Sequence, residues 1–307
     1  MGAKIKTGLI ATPPVGGVTT AKSTKITVVR DIESLRAHTR AWRKNGETIG
    51  LVPTMGALHE GHLSLVQTAL RECDRVVATI FVNPAQFAPT EDFEAYPRDE
   101  ADDIAKLDRV KTDLLFAPDV AEMYAEGFST SVTVSGITAG LCGASRPHFF
   151  GGVATVVNKL FMQSLPDRAY FGEKDYQQLQ VIRRMVRDLD IPVQIVGVPT
   201  IRENDGLAMS SRNWYLTPEE RAIAPLLHQT LQETAAAAAA GEPCEDATAR
   251  GRATLARSGF ARVDYLAICD AETLAPLEGV DRPARALVAA VLGSTRLIDN
   301  IPVPVRA

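Results

Sequence analysis

From Lys25 onward, short apolar runs alternate with amphipathic stretches. Ile26-Thr27-Val28-Val29 is a β-branched run that reads as a strand. Asp31 is placed to cap a helix whose apolar positions fall at Ile32, Leu35, His38 or Thr39, and Trp42, with Asn45-Gly46 as its stop. Residues 48–53 read as a buried strand, and a helix from about Gly61 carries Leu63, Val66, Ala69 and Leu70 on one side. Residues 75–82 form a nearly continuous apolar run, the pattern of a strand covered on both faces. Residues 99–108 predict an acidic helix and 114–117 a short strand. A strand ends at Ala169-Tyr170-Phe171; 175–189 then show helical spacing at Leu179, Ile182, Val186 and Leu189, and 193–198 are strand-like.

Repeated β–α alternation predicts an α/β fold with a Rossmann-like, doubly wound parallel sheet over 25–200. The character then changes. Thr217-Pro218-Glu219-Glu220 is a helix start, and one helix is expected from it through Leu226, Leu227, Leu231 and the alanines at 235–240 to Gly241. Two later apolar runs, 265–269 and 284–292, read as strands of a smaller C-terminal α+β domain spanning 201–307. Residues 1–24, rich in Thr, Gly, Pro and Ala, read as a flexible extension.

The 307 residues suffice for one large or two ordinary domains. Lys and Arg number 33 against 37 Asp and Glu, a net charge of −4, which argues against nucleic acid as a partner. No run reaches the ~18 apolar residues a membrane helix needs. Cys73, Cys142, Cys244 and Cys269 show no paired spacing, and four scattered thiols read as reduced residues of a cytoplasmic protein.

Three clusters carry the candidate chemistry. The first is Pro53-Thr54-Met55-Gly56-Ala57-Leu58-His59-Glu60-Gly61-His62, between a predicted strand and a predicted helix. Strand ends of a parallel sheet open onto the ligand crevice, and a helix N-terminus there suits phosphate. His59 and His62, three apart, share a face in the first turn. Their spacing is not the i,i+4 pair of a zinc-binding His-Glu-x-x-His. The second cluster is Gly172-Glu173-Lys174-Asp175-Tyr176-Gln177-Gln178, where Lys174 suits a phosphate, Asp175 a ribose hydroxyl and Gln178 a polar substrate. The third, Glu203-Asn204-Asp205-Gly206-Leu207-Ala208-Met209-Ser210-Ser211-Arg212-Asn213, offers two hydroxyls and a guanidinium to the outer phosphates of a triphosphate. Each cluster read alone is also compatible with a helix cap or a solvated turn. Further candidates are Gln86, at the end of the 75–82 strand, and Arg146. Asp102 and Asp103 are acidic groups able to reach magnesium, or else an exposed helix face.

Together and in this order, the clusters resemble the pantoate–β-alanine ligase family, within the nucleotidyltransferases that carry a HIGH signature. PTMGALHEGH is similar to that signature, MSSR is similar to the superfamily's KMSKS loop, and FVNPAQF, YPR and FGEKDYQQL match family blocks. The resemblance covers 25–307. It implies an ATP-dependent condensation of pantoate with β-alanine through pantoyl adenylate, releasing AMP and pyrophosphate, by a homodimer using Mg2+. It also implies that Met55, Gly56, Ala57, Leu58, His59, Glu60, Gly61, His62, Gly172, Glu173, Lys174, Asp175, Ile201, Met209, Ser210, Ser211 and Arg212 bind ATP. His62 would be the proton donor, with His59 and Lys174 beside it. Gln86, Gln178 and Arg146 would hold substrate, and Asp102 magnesium. One stretch departs: where the family usually reads Arg-Pro-Gly-His-Phe-x-Gly-Val, this chain has Arg146-Pro147-His148-Phe149-Phe150-Gly151-Gly152-Val153. A transfer of AMP or CMP onto another small acid or phosphate, and a catalytically silent nucleotide-binding or scaffold protein, are the competing readings.

Overall fold

The computed structural model describes residues 25–88 and 93–305, so the expected extension at 1–24 lies outside the described residues. The strands are β1 (Thr27–Val29), β2 (Ile49–Thr54), β3 (Arg75–Ile80), β4 (Leu114–Phe116), β5 (Arg168–Gly172), β6 (Gln194–Val198), β7 (Arg262–Asp270), β8 (Ala284–Leu292) and β9 (Thr295–Val303). The helices are α1 (Ile32–Lys44), α2 (Glu60–Glu72), α3 (Glu100–Arg109), α4 (Val120–Met123), α5 (Cys142–Ser145), α6 (Phe149–Ser164), α7 (Tyr176–Asp188), α8 (Pro218–Ile223), α9 (Leu226–Ala239) and α10 (Cys244–Arg257).

β1 to β6 form one sheet in the order β1-β4-β3-β2-β5-β6, and every neighbouring pair is parallel. Side chains alternate between its two faces, as the two-residue period of a strand requires. Leu51, Val77, Leu114, Phe116 and Phe171 join α1, α6 and α7 in one core cluster. Val52, Val76, Ala78, Leu115 and Tyr170 join α2 and α3 in another. Burial on both faces is why these strands read as unbroken apolar runs. The fold class is the expected doubly wound α/β sheet accompanied by a smaller α+β unit.

In that second unit β7, β8 and β9 pair antiparallel in chain order, with α9 and α10 packed on them. On β8, Ala286, Val288 and Ala290 face that helical layer while Leu287 joins a core cluster of the first sheet. The single helix expected from 217 to 240 is two. Thr217 and Glu220 form a reciprocal capping box that starts α8. Pro225 has no N–H to continue that helix, so α9 begins afresh beyond it.

Strand order reverses between β2 and β5. The chain leaves β2 for β3 and β4 on one side, while β5 and β6 lie on the other. A crevice opens at such a switch point, beyond the carboxyl ends of the strands.

Candidate active site

The loop after β2 enters α2 through two residues with positive φ, Gly56 at 83° and Ala57 at 50°. Glycine adopts that conformation freely; alanine does so only when its surroundings impose it. Here the buried Asp103 of α3 imposes it, accepting from Ala57 N at 2.9 Å and Leu58 N at 2.7 Å. Lys106 Nζ donates to Leu58 O at 2.6 Å.

Two imidazoles cap α2. Gly61 N donates to His59 Nδ1 at 3.1 Å, and His59 N donates to His62 Nδ1 at 3.3 Å. With both Nδ1 atoms accepting, each neutral ring carries its proton on Nε2. The rings are 4.1 Å apart between centroids. Burial, with the nearby Lys174 and Lys106 charges, lowers the His59 pKa to about 4. Burial, His59 and the same lysines hold His62 well below its ordinary value. At neutral pH these are uncharged hydrogen-bond donors.

Beyond β3, Asn83 is fully buried. Its Nδ2 donates to Gln86 Oε1 at 2.9 Å and Gly152 O at 3.2 Å, while its Oδ1 accepts from Tyr124 OH at 2.8 Å. Gln86 is thereby turned so that its own amide N–H groups remain for a ligand. After β5, Lys174 Nζ lies 3.7 Å from Asp175. A Cβ built on Gly172 would meet nothing within 4 Å, so open space adjoins the backbone there. After β6 the chain folds into a small hairpin, with Met209 N donating to Ile201 O at 3.0 Å and Glu203 N to Leu207 O at 2.8 Å. Ser210 Oγ accepts from Arg212 N at 3.2 Å. A Cβ on Gly61 would stand 3.9 Å from Met209 Cβ, so this hairpin adjoins the histidine loop.

These loops enclose a cavity of about 850 Å³. Of the residues the sequence singles out, Met55, His59, Gly61, His62, Gln86, Arg146, Gly172, Lys174, Asp175, Gln178, Ile201, Met209, Ser210, Ser211 and Arg212 line it. Gly56, Ala57, Leu58, Glu60 and Glu173 do not; the first three shape the loop behind the wall. Asp102 does not line it either, and its carboxylate lies 2.5 Å from Lys106 Nζ on the exposed side of α3. Among the described residues no group of three or more His, Cys, Asp or Glu stands together as a metal site. Thr200 Oγ1, Asn213 Oδ1 and Thr295 Oγ1 are buried without a hydrogen-bond partner, on side chains that line the cavity. Such atoms are costly unless a ligand or water satisfies them.

The departure at 148–149 has a physical outcome. His148 is exposed and outside the cavity lining, whereas Phe149 lines it. The Arg146 guanidinium lies 3.9 Å from the Phe149 ring centroid, and its Nη2 donates to Gln86 O at 3.1 Å. The ring face thus packs against the arginine and helps to hold it over the Gln86 backbone.

Fold and cavity define a doubly wound α/β protein with a polar ligand site across its switch point. The family model described as Pantoate-beta-alanine ligase matches residues 27–302. Pantothenate synthetase of Paramagnetospirillum magneticum is 60% identical over 281 residues, covering 92% of this chain and 99% of the relative. That of Caulobacter vibrioides is 59% identical over 279 residues, covering 90% and 98%. Among solved structures, pantothenate synthetase from Thermus thermophilus superposes with a TM-score of 0.85 at 52% identity, covering 91% of this chain and 99% of that one. Pantoate-beta-alanine ligase from Francisella tularensis, solved with beta-gamma ATP and beta-alanine, gives 0.76 at 33% identity, covering 90% and 97%. The chain belongs to the pantoate-beta-alanine ligase family, whose members join pantoate to β-alanine.

Proposed function

We propose that this chain makes pantothenate in two steps within the one cavity, using ATP. A pantoate carboxylate oxygen attacks the α-phosphorus; the bond from that phosphorus to the bridging oxygen breaks and pyrophosphate leaves. The β-alanine amine then attacks the acyl carbon of pantoyl adenylate, AMP leaves and the amine loses its proton.

Nucleotidyl transfer needs positioning and charge neutralisation more than a nucleophilic side chain. The Nε2–H groups of His59 and His62 donate to phosphoryl oxygens as charge develops, and Lys174, Ser210, Ser211 and Arg212 hold the departing phosphates. His62 acts here from a neutral ring, as a hydrogen-bond donor. Met55 and Gly61 leave room for the triphosphate beside α2. Asp175 accepts from ribose, and Ile201 and Met209 flank the base. Gln86 and Gln178 hold pantoate, with Arg146 against Gln86. Asp102 lies outside the cavity lining with Lys106 on one of its carboxylate oxygens, so on this reading the cation rides on the phosphates, as magnesium commonly does, and no step is assigned to it. The division near residue 200, with the C-terminal unit closing over the nucleotide, belongs to the same reading. So do a homodimer, checked by light scattering, and a cytoplasmic location, consistent with four free cysteines and with no membrane-length apolar helix among the described residues.

The observation carrying this reading is that three clusters far apart in sequence line a single cavity at the switch point. The test is exchange of labelled pyrophosphate into ATP. Exchange that needs pantoate but not β-alanine is expected. Exchange driven equally by other acids favours a different acceptor, and ATP binding without AMP formation marks a silent binder.

A further inference from the structure

We propose that Asp299 and Asn300, consecutive residues of β9, are positioning residues that hold the loops after β5 and β6 at the separation the triphosphate chemistry requires. This rests on the adenylate reading above. Neighbouring side chains on a strand point to opposite faces, so one dipeptide reaches two loops.

Asn300 Nδ2 donates to the backbone oxygens of both Glu173 (2.9 Å) and Lys174 (2.8 Å). Both of its N–H groups are thus spent on the segment that carries Lys174. Its Oδ1 accepts from Arg285 Nε at 2.7 Å; Arg285 also pairs with Glu173 Oε2 at 2.9 Å and lies 4.0 Å from the Tyr176 ring centroid. Asp299 grips Arg202 through two bonds, 2.7 and 2.9 Å, and meets His228 Nδ1 at 3.1 Å. Arg202 in turn donates to Gly206 O at 3.0 Å and bridges to Ala208, within the hairpin that delivers residues 209–212. Asp299 and Asn300 are each 3% exposed. Neither lines the main cavity, so neither touches the reacting atoms. A carbonyl clamp on residues 173 and 174 fixes where the Lys174 side chain starts. A two-point grip on Arg202 fixes where the double-serine turn starts. Lys174 and Arg212 serve the same phosphates only if both anchors hold, since displacement by about 1 Å can cost ~10²-fold in rate.

The experiment compares wild type with Asn300→Ala in two assays: pantoate-dependent pyrophosphate exchange, and aminolysis of synthetic pantoyl adenylate by β-alanine. We expect Asn300→Ala to raise KM for ATP and lower exchange kcat/KM at least ~10-fold. Aminolysis, after pyrophosphate has gone, should stay within about threefold of wild type. Arg202→Lys keeps the charge on Asp299 but loses the fork, and should show the same split even if Asn300→Ala folds poorly. Equal loss in both assays, with KM for ATP unchanged, overturns the positioning role. Wild-type protein that does not consume pantoyl adenylate overturns the adenylate reading itself, and with it this proposal.

Discussion

The two sheets of this protein bury their polar residues for different purposes. In the parallel sheet the strands are apolar on both faces, and the chemistry waits in the loops beyond their ends. In the antiparallel sheet the polar residues sit inside a strand, and none of the catalytic, binding or metal-ligating residues expected from the sequence lies beyond Arg212. A buried carboxylate in each region shows the contrast. Asp103, 2% exposed, receives two backbone amides, and burial pushes its carboxyl above the ordinary value against those bonds and Lys106. Asp299, 3% exposed, is pushed up by burial too, but His228 and Arg202 outweigh this and hold it low. The first ion shapes a loop beside the reacting groups; the second ties a distant strand to another loop. On the function proposed above, the first region supplies the groups that act, and the second fixes where they stand.

The largest effect should come from the acting groups. His62→Ala is expected to lower kcat by ~10²–10⁴, the range for losing one donor to developing charge, with the fold retained and only the modest loss of stability that goes with losing a helix cap. Near-normal turnover would remove His62 from the mechanism and blur the division between the regions. In the second region Asp299→Ala should instead show first in stability. Removing one partner of a buried ion pair leaves Arg202 uncompensated, at a cost of about 3–5 kcal/mol. Urea unfolding checks this, and a stable variant with normal KM for ATP would mean that β9 does not anchor the hairpin.

The same contrast explains what could be read from the sequence. β2, β3 and β4 announce themselves, because burial on both faces favours apolar side chains at nearly every inner position, the buried Thr79 of β3 being an exception. The histidine loop is legible because its chemistry needs rare residues at a strand end. β9 is not legible: Arg296, Asp299 and Asn300 interrupt its apolar pattern, and their partners, among them Asp264, Arg202 and Glu173, lie on other elements far from them in sequence. α6 is hidden for the opposite reason. It is apolar nearly all round, with Gly151-Gly152 near its start, so no one-sided stripe marks it as helix. Gly152 is there because a Cβ would meet Ala85 O at 2.2 Å, and only the folded packing against the Gln86 loop reveals that. Asp103 stands beside Asp102 in sequence, but nothing local says that it, rather than its neighbour, turns inward to the positive-φ loop.

Acid should separate the regions more gently. Above its ordinary pKa of 6.5 His59 is neutral folded or unfolded and contributes no slope. Between 6.5 and about 4 the unfolded chain binds a proton that the folded protein refuses, so stability falls as pH falls through that window. Asp299, held below 3.8, loses its contribution only at still lower pH. His59→Asn keeps an acceptor at the helix cap and removes the titrating ring. Unfolding curves from about pH 7 to about pH 4.5 should therefore be flatter for the variant. Parallel curves would show that His59 is not held neutral.

The smallest expected effect concerns the boundary between acting and holding. Arg146 is placed by the Phe149 ring, a residue that departs from the family's usual imidazole. If the ring only positions the guanidinium, Phe149→Leu should weaken pantoate use by a few-fold and leave kcat nearly intact. Arg146→Ala should cost more. The double variant should then cost little beyond Arg146→Ala alone, because a ring with no guanidinium to hold has nothing left to do. The coupling read from kcat/KM for pantoate should fall at about 0.5–1 kcal/mol, the scale of a cation–π contact. Full additivity of the two losses would mean that Phe149 contacts pantoate by itself, and that in this loop the distinction between a group that acts and one that holds has been drawn in the wrong place.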